Sequence, residues 1–244
     1  KSCIKKQHPN KAPGPDNIRN ILIRNFTNNV LLFLTMIFNA ALLNMYFPLL
    51  WKQADVITIP KQGKNPKIPQ NRRPISLLSC LGKIFERIIL KRLQGHLDKL
   101  NVIPIQQFGF TAQRSTTHQL VRLMEYITGG FNIKQSTIAL FLDIEKAYDT
   151  TWHTGLIYKM KKFGIPTDLL KLIISYLQHR KFRVKVHSAT SSWNDINAGV
   201  PQGSILSPIL YNLYTADIPI VNNTQIAMYA DDTAIYSRKR SLHF

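Results

Sequence analysis

The sequence predicts an α+β fold, in which helices alternate with antiparallel strand pairs. Several segments carry apolar residues at helical spacing, and shorter segments between them alternate in the manner of strands. Two pairs of alternating segments are close neighbours along the chain, 181–187 with 191–196 and 224–230 with 233–237, which is typical of hairpins. The helices and hairpins intermix without the regular strand–helix alternation of a doubly wound parallel sheet, so that class is not expected.

The N-terminal part begins with a turn segment and a long apolar helix. KAPGPDNI (11–18) contains two prolines and a glycine, which exclude regular structure. The segment 25–51 has no charged residue, and we expect a helix buried in the domain and ended by Pro48. The segment is also long enough for a membrane span. Asn39 and Asn44 would then lie near the membrane centre at considerable cost, which favours the buried helix.

The middle of the chain predicts two strands and two helices. ADVITIP (54–60) alternates like a strand, and the basic segment KQGKNPKIPQNRRP (61–74) is predicted to be a loop interrupted by prolines. Ser115 is placed to cap a helix that follows it. TIALFLD (137–143) is predicted to be a buried strand ending on an acid. A further helix is indicated by apolar residues that share one face: Ile84, Phe85, Ile88, Ile89, Leu93, Leu97 and Leu100.

The C-terminal part predicts three helices and the two hairpins. A short helix around 156–160 should end at Gly164, and Thr167 is expected to cap the next helix. Ser207 followed by Pro208 is a typical helix start, with proline in the first turn. The last hairpin, 224–237, places two acidic residues at its bend.

The charge of the chain points to a polyanionic partner. The 244 residues include 32 Lys and Arg against 13 Asp and Glu, for a net charge of +19. Hydrophobic residues make up 45% of the chain, which is ordinary for a globular protein, so a disordered basic tail is excluded. The basic residues are spread along the sequence, which favours an extended nucleic-acid footprint. The only cysteines, Cys3 and Cys80, provide no disulfide framework, and no histidine stands at zinc-site spacing from them.

Two adjacent acids, Asp231 and Asp232 in MYADDTAIYS (228–237), are the first candidate for chemistry. Neighbouring carboxylates resist ionising together, so a divalent cation between them would be stabilising. The alternative is a solvated turn, because Asp tolerates turn geometry. Asp143, at the end of the apolar strand 137–143, is the best third ligand, since an unpaired carboxylate in an apolar setting is costly. Polymerases use carboxylates in this way to hold two ions about 3.5–4 Å apart.

The motifs around these acids resemble those of a reverse transcriptase. FLDIEKAYD (141–149), AGVPQGSILSPILYNLY (198–214) and YADD (229–232) occur in the order found in that family. RRPISLLSCLGKIFERII (72–89) and QFGFTAQRSTTHQL (107–120) fit the same pattern, and so does KAPGPDNI, although the family more often has Gly at the Asn17 position. The details are similar to the reverse transcriptase domain of non-LTR retrotransposons, especially the jockey-like elements of insects. The resemblance covers nearly the whole chain.

The resemblance implies roles for individual residues. Asp143, Asp231 and Asp232 would be catalytic and metal-binding, with two Mg²⁺ ions for which Mn²⁺ can substitute. The substrate-binding residues would be Tyr148, whose ring excludes a ribose 2′-hydroxyl, Gln202 and Gly203 in the loop near nucleotide and template, and Lys61 and Arg73 at the triphosphate. For Tyr148 the alternative is core packing. Arg72, Lys83 and Arg114 are weaker candidates that could equally be solvated surface charges.

The resemblance further implies a right-hand polymerase fold. The fingers would span 1–136, and the palm, with an antiparallel sheet, would span 137–244 and be cut short on its C-terminal side, the thumb being absent. The partners would be an RNA template, a DNA primer, their RNA–DNA heteroduplex and deoxynucleoside triphosphates. Stable membrane association is not expected, and the protein would be intracellular, in cytoplasm and nucleus.

Three other functions remain compatible with the sequence. An RNA-dependent RNA polymerase shares the metal chemistry, but it must admit the 2′-hydroxyl, against which Tyr148 argues. A catalytically inactive, nucleic-acid-binding remnant of a retroelement would keep the basic surface without the reaction. A membrane-associated protein would use the apolar segment 25–51.

Overall fold

A computed structural model describes residues 2–240. The chain separates into two compact units, each made of two stretches. Unit 1 comprises Lys1–Leu100 and Tyr148–Ser207, and unit 2 comprises Asn101–Ala147 and Pro208–Phe244. Both units combine helices with strands, so the predicted α+β class is confirmed.

Eight α-helices and eight strands are present in residues 2–240. The helices are α1 (Ser2–Lys5), α2 (Asn20–Arg24), α3 (Asn28–Leu43), α4 (Cys80–Leu100), α5 (Thr116–Asn132), α6 (His153–Lys162), α7 (Thr167–Leu177) and α8 (Ser207–Tyr214). The strands are β1 (Gln53–Pro60), β2 (Arg72–Leu78), β3 (Gln135–Leu142), β4 (Arg180–Val186), β5 (Ala189–Thr190), β6 (Asn194–Ile196), β7 (Gln225–Tyr229) and β8 (Asp232–Arg240).

The sheet of unit 1 has the strand order β2-β1-β4-β5, and β6 also pairs with β4. The hairpin predicted over 181–196 is present, because β5 and β6 both pair antiparallel with β4. Strand β2 was not predicted. Pro74 lies inside it, opposite Thr58, and β2 pairs only with β1, so it occupies the sheet edge where proline is tolerated.

The core of unit 1 contains a cluster of aromatic rings. Phe47 lies with its ring centroid 5.4 Å from that of Phe85 and 5.0 Å from that of Tyr176, and Phe38 stacks on Phe85 at 5.2 Å. Such contacts add to the stabilisation that burial of large rings provides. The cluster joins α3, α4 and α7.

Helix α3 is present, but it ends at Leu43 and not at Pro48, and the expectation that it is buried in the domain was wrong for most of its surface. Leu34, Phe38 and Ala41 are buried along one stripe, whereas Phe33 and Met36 on the remaining surface are exposed. A single packed stripe is what a helix on the outside of a core needs. No helix in residues 2–240 has both the length and the apolar character required to cross a membrane.

Two predicted helix starts gave different outcomes. Ser115 is the N-cap of α5, and its hydroxyl oxygen accepts a hydrogen bond from the His118 amide, as predicted. The prediction for Thr167 was wrong, since Pro166 holds the cap position of α7 and no side chain caps that helix. Proline fixes φ near the value that the chain needs at this entry, which explains the shift by one residue.

Unit 2 contains an antiparallel sheet of order β3-β8-β7 with α5 against one face. Ala227, Ala234 and Tyr236 form its buried centre, on which Leu123 and Tyr126 of α5 pack. The strand predicted at 137–143 is present as β3, but its predicted burial was wrong. Strand β3 is the sheet edge and α5 covers only its beginning, so that Phe141 is 73% exposed.

Candidate active site

The hairpin β7–β8 carries two of the three candidate aspartates. Tyr229 pairs with Asp232, so Ala230 and Asp231 form a two-residue turn between the strands. Ala230 has φ +58°, a positive value that the primed hairpin turns require at their first central residue. The two acids therefore lie at the bend, as the sequence predicted.

Asp143 comes to the same end of the sheet through the pairing of β3 with β8. The register runs antiparallel up to Leu142 opposite Thr233, and Asp143 is the next residue after Leu142. Continuing that register points Asp143 toward Asp232. Asp143 and Asp232 are exposed and Asp231 is half-buried. The premise that Asp143 ends a buried strand was wrong, because this end of β3 is open to solvent.

The three carboxylates suit a hard divalent cation. Carboxylate oxygens are the ligands that Mg²⁺ and Mn²⁺ prefer, and Mg²⁺ is held by one or two carboxylates together with substrate phosphates and water. Their solvent-accessible position leaves room for those further ligands. In residues 2–240, however, no three His, Cys, Asp or Glu side chains are grouped so that they could hold an ion as they stand. The donor chemistry fits, and the carboxylates have to converge around an ion.

Burial and the charge at the bend raise the pKa of a tyrosine of α8. Tyr211 is buried, and burial, followed by the charge of Asp231 and the neighbouring Tyr214, raises its pKa to about 12. The Tyr211 phenol therefore stays neutral at physiological pH. Tyr211 lies in the motif AGVPQGSILSPILYNLY (198–214), but no individual role was predicted for it from the sequence.

The segment QFGF (107–110) runs alongside strand β7. The Phe108 amide donates to the Met228 carbonyl oxygen at 2.9 Å, and the Met228 amide donates to the Gln106 carbonyl oxygen at 3.1 Å. Gly109 has no room for a side chain, because a Cβ there would lie 2.1 Å from the Ala230 nitrogen. This segment therefore belongs to the structural support of the hairpin.

Arg114, one of the weaker phosphate candidates, has a structural role. Its guanidinium donates to the carbonyl oxygens of Pro104, Ile105 and Gln107, at 3.2, 2.9 and 2.7 Å. The side chain thus holds the segment that leads into QFGF. Its charge also lies over the Phe108 ring, 5.3 Å from the centroid.

In unit 1, the loop that follows β6 contains Gln202 and Gly203. The Val200 amide donates to the Tyr148 carbonyl oxygen at 2.7 Å, which ties this loop to the candidate sugar-contacting residue. The Ser76 amide of β2 donates to the Gln202 carbonyl oxygen at 2.8 Å. Gly203 has φ +115°, and a Cβ there would lie 2.7 Å from the Ser76 carbonyl oxygen, so glycine is required.

A buried carboxylate that the sequence did not suggest holds the same loop. Glu86 of α4 is 1% exposed, and its Oε2 accepts from the Ser204 hydroxyl at 2.7 Å and from the amides of Ile205 and Leu206 at 2.6 and 3.3 Å. The Tyr176 hydroxyl lies 2.7 Å from the Ser204 hydroxyl. The feature of the sequence that could have indicated Glu86 is that it is the one acid in GKIFERII (82–89), next to Phe85 on the apolar face of the predicted helix.

The basic candidates of unit 1 that precede α4 lie at one end of the β1–β2 pair. Arg73 pairs with Ile59 and is exposed, and the Lys61 amide donates to the Asn71 carbonyl oxygen at 2.8 Å. Arg72 instead donates to the Thr58 hydroxyl at 2.7 Å and also contacts neighbouring carbonyls, so it stabilises the hairpin.

Lys83, the remaining weaker candidate, lies on α4 and is partly buried. Burial lowers its pKa, although the charge of Glu86 acts in the opposite direction. A fully solvated surface charge is therefore not the right description of Lys83.

A family model for reverse transcriptase (RNA-dependent DNA polymerase) matches residues 59–243. The chain belongs to this family. The matched range includes all eight candidate site residues, in both units. Polymerases of this kind copy a nucleic-acid template from a primer and act with divalent metal ions.

Curated relatives agree with the family assignment. The chain is 42% identical over 250 residues to the RNA-directed DNA polymerase from mobile element jockey of Drosophila melanogaster, covering 99% of this chain and 27% of the relative. It is 40% identical over 245 residues to the probable RNA-directed DNA polymerase from transposon X-element of the same species, covering 98% and 27%. The resemblance to jockey-like retrotransposons is confirmed. The chain spans about a quarter of the length of these curated relatives.

Proposed function

We propose that this reverse transcriptase chain catalyses RNA-directed DNA synthesis, adding deoxynucleotides to a primer 3′-hydroxyl. The observation that carries the proposal is the antiparallel sheet β3-β8-β7, in which strand register brings Asp143 to the end where Asp231 and Asp232 form the hairpin bend. In a right-hand polymerase this sheet would belong to the palm, at 137–244, and residues 1–136 would form the fingers.

The candidate residues would have different roles. Asp143 and Asp231 would hold both Mg²⁺ ions, for which Mn²⁺ can substitute, with Asp232 supporting them. When bound, the ions lower the pKa of the primer hydroxyl and stabilise charge developing on the phosphate oxygens. Tyr148 would exclude a ribose 2′-hydroxyl, and Gln202 would donate to or accept from the nucleotide. Lys61 and Arg73, which lie at one end of the β1–β2 pair, would bind the triphosphate.

The partners follow from charge and family. The Lys and Arg side chains that give the net charge of +19 would bind the RNA template, the DNA primer and their heteroduplex, mainly through phosphates. Deoxynucleoside triphosphates would be the substrates, and no stable membrane association is proposed. A location in cytoplasm and nucleus is proposed from the resemblance alone.

The test is DNA synthesis on a homopolymer RNA template with Mg²⁺, using the full reading frame that contains this chain. Asp143→Asn, Asp231→Asn and Asp232→Asn should abolish nucleotide addition. Asp168→Asn, an exposed acid at the start of α7, is the matched control and should retain activity. Near-normal synthesis by Asp143→Asn or Asp231→Asn would contradict the assignment.

A second candidate is nucleic-acid binding without catalysis. It is favoured by one observation, namely that the acids of residues 2–240 form no group ready to hold a metal ion. Under this alternative the wild-type protein binds RNA–DNA duplex but extends no primer at any Mg²⁺ or Mn²⁺ concentration. The synthesis assay therefore separates the two functions.

A further inference from the structure

A buried glutamine contacts the backbone at the acidic bend. Gln107 is 1% exposed, and its amide is used entirely on main-chain groups of unit 2. Its Oε1 accepts from the Ala230 amide at 2.9 Å and from the Gly109 amide at 2.8 Å. Its Nε2 donates to the Ala230 carbonyl oxygen at 3.2 Å. One side chain thus satisfies both the N–H and the C=O of Ala230.

Ala230 is the residue in this hairpin whose backbone conformation most needs such support. Its φ of +58° lies in the left-handed region, where a side chain with a Cβ is disfavoured relative to glycine. The residue is also buried, so its N–H and C=O would be costly if they lost their partners. The two bonds from Gln107 oppose a return of this backbone to a right-handed or extended conformation.

The support itself is fixed on both sides. Gly109 lies so close to Ala230 that no Cβ could be accommodated, and its carbonyl oxygen accepts from Asn212 of α8 at 2.9 Å. Gln119 of α5 donates to the carbonyl oxygens of Gln106 and Met228, each at 3.3 Å. The segment that carries Gln107 is therefore attached to two helices and to the hairpin.

We infer that Gln107 is a positioning residue for the Asp231–Asp232 pair. By holding the backbone of Ala230 in the left-handed conformation, it sets the direction in which the two following carboxylates leave the turn. This inference rests on the proposed function, because it matters for catalysis only if those carboxylates bind the metal ions. Metal ligands have to be held close to their productive geometry. If the Ala230 backbone changed to another conformation, the Asp231 and Asp232 carboxylates would both move. Because Gln107 is buried and bonded to main-chain groups, it would act through the hairpin and not by contact with substrate or ion.

The experiment compares Gln107→Met with Gln106→Met in the full reading frame. Methionine nearly preserves volume but removes the amide, and the Gln106 side chain makes no hydrogen bond within residues 2–240, so it is the matched control. Free and bound Mn²⁺ are measured by electron paramagnetic resonance, with circular dichroism as the check on folding. Asp231→Asn serves as the reference for a lost ligand. The double variant Gln107→Met with Ala230→Gly tests rescue, because glycine adopts a positive φ without the support.

We expect Gln107→Met to weaken Mn²⁺ binding about tenfold, which is about 1.4 kcal/mol, and Gln106→Met to stay within about twofold of wild type. Adding Ala230→Gly should restore at least half of the loss on a logarithmic scale. Mn²⁺ binding by Gln107→Met at the wild-type level, while Asp231→Asn loses it, overturns the inference. Retained binding in Asp231→Asn overturns the proposed function instead.

Hydrogen exchange on the wild-type protein keeps the inference testable if Gln107→Met does not fold. The Ala230 amide, bonded to Gln107, should exchange as slowly as the amides in the middle of β8. Rapid exchange of the Ala230 amide in an otherwise protected hairpin would overturn the inference without any variant. A loss of folding by Gln107→Met together with slow wild-type exchange supports it.

Discussion

Glu86→Ala should be among the most destabilising substitutions in the chain. The carboxylate is buried and accepts three hydrogen bonds through one oxygen, from the Ser204 hydroxyl and the amides of Ile205 and Leu206. A hydrogen bond to a charged group contributes about 1.5–3 kcal/mol. The three donors share one acceptor oxygen and can partly rearrange once it is removed, so their contributions do not add. We expect Glu86→Ala to lower the free energy of unfolding by about 4 kcal/mol. Glu86→Gln keeps an acceptor oxygen and should lose about 1–2 kcal/mol.

The assay is urea unfolding followed by circular dichroism, with Glu125→Ala as control. Glu125 is exposed on α5, so this substitution should change the free energy of unfolding by less than about 0.5 kcal/mol. Since Glu86 holds the loop that follows Gln202 and Gly203, the KM for deoxynucleotides should rise in Glu86→Gln, while the thermal midpoint falls only slightly. A free energy of unfolding for Glu86→Ala within about 1 kcal/mol of wild type would refute the reasoning.

Three further predictions concern Tyr148, the basic surface and Lys52. Tyr148→Ala should raise the ratio of ribonucleotide to deoxynucleotide incorporation in single-nucleotide extension by about tenfold or more, since each 1.36 kcal/mol of a steric barrier is about tenfold in rate. Tyr148→Phe should keep the wild-type ratio. An equal fall of both activities in Tyr148→Ala would indicate core packing instead. Binding to RNA–DNA duplex should weaken steeply between low and physiological salt, with little dependence on sequence, and a flat response would exclude phosphate-dominated binding. Lys52 is buried, and burial together with the nearby Arg180 charge lowers its pKa to about 8. The unfolded chain holds this proton up to its usual pKa, so the free energy of unfolding should rise by roughly 1 kcal/mol between about pH 8 and 10.5, after allowing for residual hydration. Lys52→Met should abolish that rise, and an identical pH dependence in both proteins would contradict it.

The elements that depend on local pattern could be predicted from the sequence. Helix α4 followed from its apolar face, α5 from the Ser115 cap, and the two hairpins from alternating segments. The acidic bend was also foreseen, because Asp231 and Asp232 stand between two short alternating segments. These features are set by residues within a few positions of one another.

The features that were missed depend on distant partners. The contacts of Gln107 with Ala230 and of Glu86 with Ser204 join residues more than 100 positions apart, and no local pattern marks them. Strand β2 was read as loop because Pro74 is unfavourable in a strand unless the strand is an edge. The burial of β3 was overestimated for a similar reason, since an apolar strand does not reveal whether a neighbour covers both of its faces.

The number of ions bound at the acidic bend tests the central claim most directly. The measurement is Mn²⁺ stoichiometry by electron paramagnetic resonance in the full reading frame, bound to an RNA template, a chain-terminated DNA primer and the next deoxynucleotide. We predict two bound ions in the wild-type complex, fewer than two in Asp143→Asn and Asp231→Asn, and two in Asp168→Asn. Two ions in the Asp143→Asn and Asp231→Asn complexes would contradict the assignment of these aspartates as the metal ligands.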